Sequence, residues 1–176
     1  GRPGEQLIMV GLVGSAEVAR WFLPFVLPLC FAAAYTDLSM MRIPNWINDS
    51  LGAVYVILGL FIMPTWADYG WQLLHLPIGV ALGFVFFSAG VMGAGDAKFI
   101  GAAAPLVVLA DLPALVMIYS ANLLAAFATH RLTKFTPLRS LAPSWSSWNV
   151  GKKFPMGFSL GGTLAIYLIL VACFGR

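Results

Sequence analysis

Charge is scarce in this chain. Of 176 residues, ten are Lys or Arg and seven are Asp or Glu, so charged residues make up 10% of the sequence, under half the roughly 25% of a typical soluble domain. That scarcity excludes an ordinary water-soluble globule. With 60% hydrophobic residues and a mean hydropathy of +0.88, the chain reads as a protein embedded in a lipid bilayer. Histidine and cysteine are nearly missing as well. Cys30 and Cys173 each lie within an apolar stretch and form no CxxC pair, so they read as small core hydrophobes without a disulfide framework or a zinc site. His75 and His130 are far apart in sequence and read as interfacial or loop residues. A His-based triad or metal centre therefore has little to build on, and no metal or cofactor is expected. The net charge is +3 and the pI about 9.1, but the basic residues are scattered in the manner of membrane orientation signals, so nucleic acid is not expected as a partner.

What is abundant is long apolar runs. A bilayer core takes about 17 to 25 helical residues to cross, and six runs are read as spans, at residues 18–36, 46–63, 73–92, 97–110, 112–129 and 157–174. Pro24 and Pro28 fall inside the first and are expected to kink it. The fourth is short and interrupted by Pro105, so it is expected to tilt or to begin before Asp96. The fold expected is an all-α polytopic membrane protein, a bundle of six transmembrane helices over residues 18–176. Its one sizeable loop, at about 129–156, holds His130, Arg131, Lys134, Arg139, Lys152 and Lys153. Residues 1–17 form an N-terminal segment that opens Gly1-Arg2-Pro3-Gly4; part of it reads as a cloning scar, and no function is assigned to it. Seven Lys and Arg residues fall in the loops after the odd-numbered spans, against Arg2, Arg20 and Arg176 on the other side. By the positive-inside rule the odd loops face the cytoplasm and both termini lie outside.

This topology sorts the acids. Glu5, Glu17, Asp68 and Asp111 fall on the outer side and read as solvated loop or helix-end charges. Asp49 falls in the first turn of the second span, where an acid complements the helix dipole. Asp37 closes the first span and Asp96 follows the third, so two crossings return them to the same membrane face. An acid beside lipid is a functional-site candidate by default. Asp37 is in addition at a helix C-terminus, which repels negative charge, so another group should hold it. Asp96 follows two glycines in Gly93-Ala94-Gly95-Asp96-Ala97-Lys98, where the bare backbone permits close helix contact or close approach of another chain. Two carboxyls sharing a site do not both ionise easily. The charged one can take a proton from water while the neutral one hydrogen-bonds the carbonyl that the water attacks. The same pair suits a proton-coupled transporter, and spacing alone leaves the two readings level. A noncatalytic assembly factor is the third reading, and it would tolerate Asn at both positions.

Two segments go further. Thr36-Asp37-Leu38-Ser39-Met40-Met41-Arg42-Ile43-Pro44-Asn45-Trp46 and Gly93-Ala94-Gly95-Asp96-Ala97-Lys98 resemble the two signature motifs of type IV prepilin peptidases, members of the GxGD class of intramembrane aspartic proteases. A third, Phe154-Pro155-Met156-Gly157-Phe158, is similar to the Pro-x-Gly start of that family's last helix. A lone GxGD is a weak signal; the three in order across nearly the whole chain are a strong one. The resemblance implies that Asp37 and Asp96 are the catalytic pair, at the cytoplasmic edge of a bacterial inner membrane, and that no cofactor is used. It implies as substrates the precursors of type IV pilins and pseudopilins, cut between a short basic leader and the hydrophobic helix that follows, usually after a glycine. Larger bifunctional relatives carry paired CxxC motifs and also methylate the new N-terminus. This chain has neither motif and resembles the short Flp or tight-adherence branch, so methylation is not expected. Archaeal preflagellin peptidases share GxGD, but Arg42-Ile43-Pro44-Asn45-Trp46 favours the bacterial short form. Presenilin-type relatives, with Tyr directly before the first Asp, rank lower because Thr36 stands there.

Gly93, Gly95, Arg42, Pro44, Asn45 and Lys98 are the residues expected to shape the site or meet substrate. Pro44 suits the start of a helix, where its missing N–H is no loss, and it keeps Ile43 extended, giving a stiff turn that sets the height of Asp37. Lys98 is two residues past Asp96, which on a helix turns it some 200° away, so it is expected to snorkel to headgroups. Arg42 reads as a topology charge or a substrate contact, and the 129–156 loop as lying on anionic lipid. The substrate helix is expected alongside the first and fourth spans. Oligomeric state is left open.

Overall fold

The computed structural model describes residues 11–151 and 153–176; Arg2, Glu5 and Lys152 lie outside them. Among the described residues there are six α-helices: α1 Ala16–Met40, α2 Asn45–Ile62, α3 Trp66–Ser88, α4 Ala94–Ala103, α5 Leu112–Lys134 and α6 Met156–Phe174. Apolar composition makes them helical, since a backbone in lipid must satisfy its own hydrogen bonds, and local caps set where they start. The Val18 N–H donates to Ser15 Oγ at 3.4 Å to open α1, and the Asp68 N–H donates to Thr65 Oγ1 at 3.0 Å to open α3. Pro24 and Pro28 lie inside α1, which remains helical through both.

Five stretches are long and apolar enough to cross a membrane, so the chain is an all-helical, multi-pass membrane protein. α4 differs. It has 10 residues, about 15 Å at 1.5 Å per residue, which is half of a hydrocarbon core. It starts at Ala94, before Asp96, and gives way to a 3₁₀ turn, Ala104–Leu106, because Pro105 cannot continue the α-helical hydrogen bonding. A second 3₁₀ turn, Leu109–Asp111, leads into α5.

Helix pairing follows small residues, as expected where lipid leaves van der Waals fit to drive association. α1 and α6 pack along their lengths; a Cβ placed on Gly161 would stand 2.7 Å from the Cys30 carbonyl oxygen. α3 and α4 pack equally closely, and a Cβ on Gly83 would run into the Ala97 carbonyl. α2 packs on both α1 and α4. α5 leans on α6, where Asn122 Nδ2 donates to the Ser159 carbonyl at 2.8 Å and to Thr163 Oγ1 at 3.2 Å.

At the end of the bundle remote from Asp37, one expectation is overturned. Asp111 is not a solvated loop charge: it is 2% exposed and accepts hydrogen bonds from the Val13 N–H at 2.6 Å, the Gly14 N–H at 2.9 Å and the Tyr167 hydroxyl at 2.9 Å. It ties the segment before α1 to the start of α5 and to α6. His130 is likewise no exposed loop residue. It sits in the last turns of α5, 4% exposed, its ring stacked 4.9 Å from Trp148 with Phe154 edge-on at 5.8 Å. Much of the α5–α6 loop thus folds onto its own aromatics, and Trp145 reaches Tyr35 of α1. Asp49 is exposed in the second turn of α2, one turn later than expected.

Candidate active site

Asp37 occupies the last turn of α1. The helix ends when Met41 adopts a left-handed conformation, φ 54°, and its N–H closes on the Asp37 carbonyl at 2.8 Å, a common helix-ending geometry. Pro44 then caps α2 at φ −62° and ψ 148°, so the connection is as short and stiff as Arg-Ile-Pro suggests. Asp37 is 4% exposed. Its Oδ2 accepts a hydrogen bond from the Gly157 N–H at 2.6 Å. Gly157 is the second residue of α6, where backbone N–H groups have no partner within their own helix. The unfavourable end of one helix is thus offset by the donor end of another, and this is the group that holds Asp37.

Asp96 lies in the first turn of α4, half-buried. Its Oδ2 accepts from the Gly93 N–H at 3.3 Å, folding the carboxyl back over the start of its own helix. The carboxyls of Asp37 and Asp96 lie within electrostatic reach of one another, and Tyr119 of α5 lies within reach of Asp96.

Ile43 couples the two acids. Its side chain packs so closely on α6 that a Cβ at Gly157 would meet Cδ1 at 2.8 Å, Cγ1 at 2.9 Å and Asp37 Cβ at 3.0 Å. Its backbone runs against Gly95, where a Cβ would meet the Ile43 carbonyl oxygen at 3.1 Å and the Ile43 nitrogen at 3.2 Å. Gly95 is therefore occupied by the α1–α2 turn. Asn48 Nδ2 of α2 adds a hydrogen bond to the Gly95 carbonyl at 3.2 Å. The Asp37 turn and the Asp96 turn are thus pinned to each other and to α6.

Of the residues expected from the sequence, Asp37, Asp96, Pro44, Gly93 and Gly95 come together here. Exposed Lys98 donates from Nζ to Asn45 Oδ1 at 2.9 Å, which links α4 to α2. Arg42 is exposed in the turn. Ile43, Asn48, Gly157 and Tyr119 were not among the expected site residues. Ile43 and Gly157 stand inside segments whose resemblance was noted, so proximity to a motif was the available signal. Asn48 stands among Asn45, Asp49 and Ser50 at the start of α2, and Tyr119 beside Ser120 and Asn122 in α5, so no sequence contrast marked either.

A model of the type IV leader peptidase family matches residues 24–129. No curated protein and no solved structure matches the chain. The family match runs from within α1 to near the end of α5 and takes in both acid-bearing turns, Asn48 and Tyr119. Because that match covers more than half of a multi-pass helical chain, the protein belongs to the type IV leader peptidase family, membrane peptidases acting on prepilins.

Proposed function

We propose that the protein is an intramembrane aspartic endopeptidase that removes the leader of Flp-type prepilins and pseudopilins, with Asp37 and Asp96 as its two catalytic acids. The observation that carries this reading is the coupling of the two acid turns through Ile43, with each carboxyl also held by a backbone N–H. Such anchoring supports a pair poised to hold one water and one scissile carbonyl. One acid, ionised, takes a proton from the water. The other, protonated, donates its proton to the carbonyl oxygen as the tetrahedral intermediate forms; on collapse the first acid passes the proton it took from water to the leaving nitrogen, and the second recovers a proton from the intermediate's hydroxyl. The peptide must be extended at the cut, since a helical carbonyl is engaged in its own hydrogen bonding. Asn45 and Lys98 shape the approach by linking α4 to α2, Pro44 and Gly93 by starting α2 and α4, and Arg42, exposed in the α1–α2 turn, is available to meet the leader.

The excess of Lys and Arg in the odd-numbered loops supports a cytoplasmic active site in the bacterial inner membrane. The run Arg42-Ile43-Pro44-Asn45-Trp46 supports the short, Flp-type branch.

Co-expression with an Flp-type prepilin tests the reading. Asp37→Asn and Asp96→Asn should each lower processing by roughly 10²–10⁴-fold, the usual worth of a general acid or base, whereas exposed Asp49→Asn should retain it. Full processing by either of the first two variants removes the aspartic mechanism. Mass analysis of the product should find an unmethylated N-terminus.

A further inference from the structure

α5 is the least buried of the five long helices. Only 11% of its apolar stretch is buried inside the bundle, against 50% for α6. It leans on α6 and stands away from α3 and α4. Between them runs a groove of about 600 Å³. One wall is Ile78, Leu82 and Phe86 of α3, spaced four residues apart on one helix face; the facing wall includes Val116 and Tyr119 of α5, and Met156 of α6 lies at its end. Among the described residues none of its lining is Asp, Glu, Lys or Arg.

Two features set this groove apart from an ordinary lipid-facing surface. It borders the candidate active site: its lining includes Met92, next to Gly93, whose N–H donates to Asp96, and Met156, next to Gly157, the donor to Asp37. It also has the length of a membrane helix. From Phe86 back to Trp71 its α3 wall spans 16 residues, about 22 Å at a rise of 1.5 Å from each residue to the next, most of a hydrocarbon core. A second large cavity among the described residues, about 630 Å³ and lined by Gly14, Asp68 and Gln72, lies at the opposite end and does not reach Asp37 or Asp96.

We infer that this groove, between α3–α4 and α5–α6, is where the substrate's hydrophobic helix docks. The inference rests on the peptidase reading. A precursor cut at Asp37 and Asp96, with an apolar helix beginning just after the cut, must place that helix in an apolar channel that starts beside the acids and runs away from them through the membrane. The groove does so. It is flanked by α4 and α5, so the helix lies on the α5 side of α4; the sequence suggested a place alongside the first and fourth spans, but α2 and α6 pack on α1. Met92 and Met156 stand at the junction of groove and site, where the substrate passes from helix to extended chain.

The probe is a synthetic precursor peptide with a lysine-rich leader ending in Gly and a 20-residue apolar helix, beside a shortened peptide lacking that helix. Enzyme carrying a photoreactive benzophenone side chain at position 82 or 116 should cross-link to the apolar helix, and enzyme carrying it at Phe61, which is 82% exposed on α2 outside the groove, should not. Filling the groove with Leu82→Trp or Val116→Trp should reduce the preference in kcat/KM for the long over the short peptide by about tenfold, the scale of overpacking a contact surface. Phe61→Trp should leave the preference as in wild type. Cross-links at Phe61 equal to those at 82 and 116, or cross-links from 82 and 116 to lipid acyl chains only, overturn the docking site. If instead Asp37→Asn and Asp96→Asn cleave both peptides normally, the peptidase reading falls first.

Discussion

Adding one methyl group at Gly157 should disable the enzyme without unfolding it. A Cβ there would stand 2.8 Å and 2.9 Å from the end carbons of Ile43 and 3.0 Å from Asp37 Cβ, where ordinary contact begins near 3.4 Å. Something must move by about half an ångström. Ile43 is 4% exposed and its backbone rests on Gly95, so it has little room to retreat. The strain therefore falls on Asp37, which is held to this same residue by a 2.6 Å hydrogen bond. Overpacking of this kind costs about 1–3 kcal/mol, and each 1.36 kcal/mol is tenfold in rate. Gly157→Ala should thus lower kcat on a prepilin by roughly 10- to 100-fold, with little change in KM, because the groove that holds the apolar helix is untouched. Purified protein in detergent, assayed by gel shift of the processed product alongside a thermal melt, gives both numbers. Ile43→Val removes the 2.8 Å contact and should restore part of the loss in the double variant. Gly52→Ala is the control, since no atom lies within 4 Å of its Cβ position. A Gly157→Ala enzyme with wild-type kcat would refute the claim that α6 fixes the Asp37 carboxyl.

Three further outcomes are expected. Gly83→Val should push α4 off α3, because even a Cβ would overlap the Ala97 carbonyl; a loss of more than about 2 kcal/mol in stability, read by thermal melting, should accompany loss of processing, and a neutral result would mean that α4 does not depend on this contact. Asp111→Ala strips the acceptor from three donors and should lower stability by about 1–3 kcal/mol, while the folded fraction still cleaves; equal melting temperatures would show that the clamp contributes nothing. Activity plotted against pH should be bell-shaped, since two interacting acids titrate as a pair and only the singly protonated form is competent; a profile with one ascending limb and no fall would point to a single essential acid.

Apolar runs revealed most of the helices, because in lipid the need for internal hydrogen bonds and the thickness of the bilayer leave few alternatives. They showed the fourth run to be short and broken at Pro105 but not that it turns to 3₁₀ winding there, since a proline carries no sign of whether a chain kinks or changes its winding. Parity of crossings was enough to bring Asp37 and Asp96 to one face. It also put Asp111 on the opposite face, but it could not show that Asp111 is as deeply buried as Asp37. Partners distant in sequence account for both: Asp37 is held 120 residues away by Gly157, and Asp111 is held by Tyr167, 56 residues on. The deepest omission was Ile43, an ordinary hydrophobe between more conspicuous neighbours. Its side chain touches the α6 start through Gly157 and its backbone touches the α4 start through Gly95, so two separated glycines are the visible trace of one wedge. A glycine in a membrane helix can mean close packing of two spans, as Gly83 does. Gly95 and Gly157 instead leave room for the same connecting turn, and that convergence brings the two acid motifs into one site.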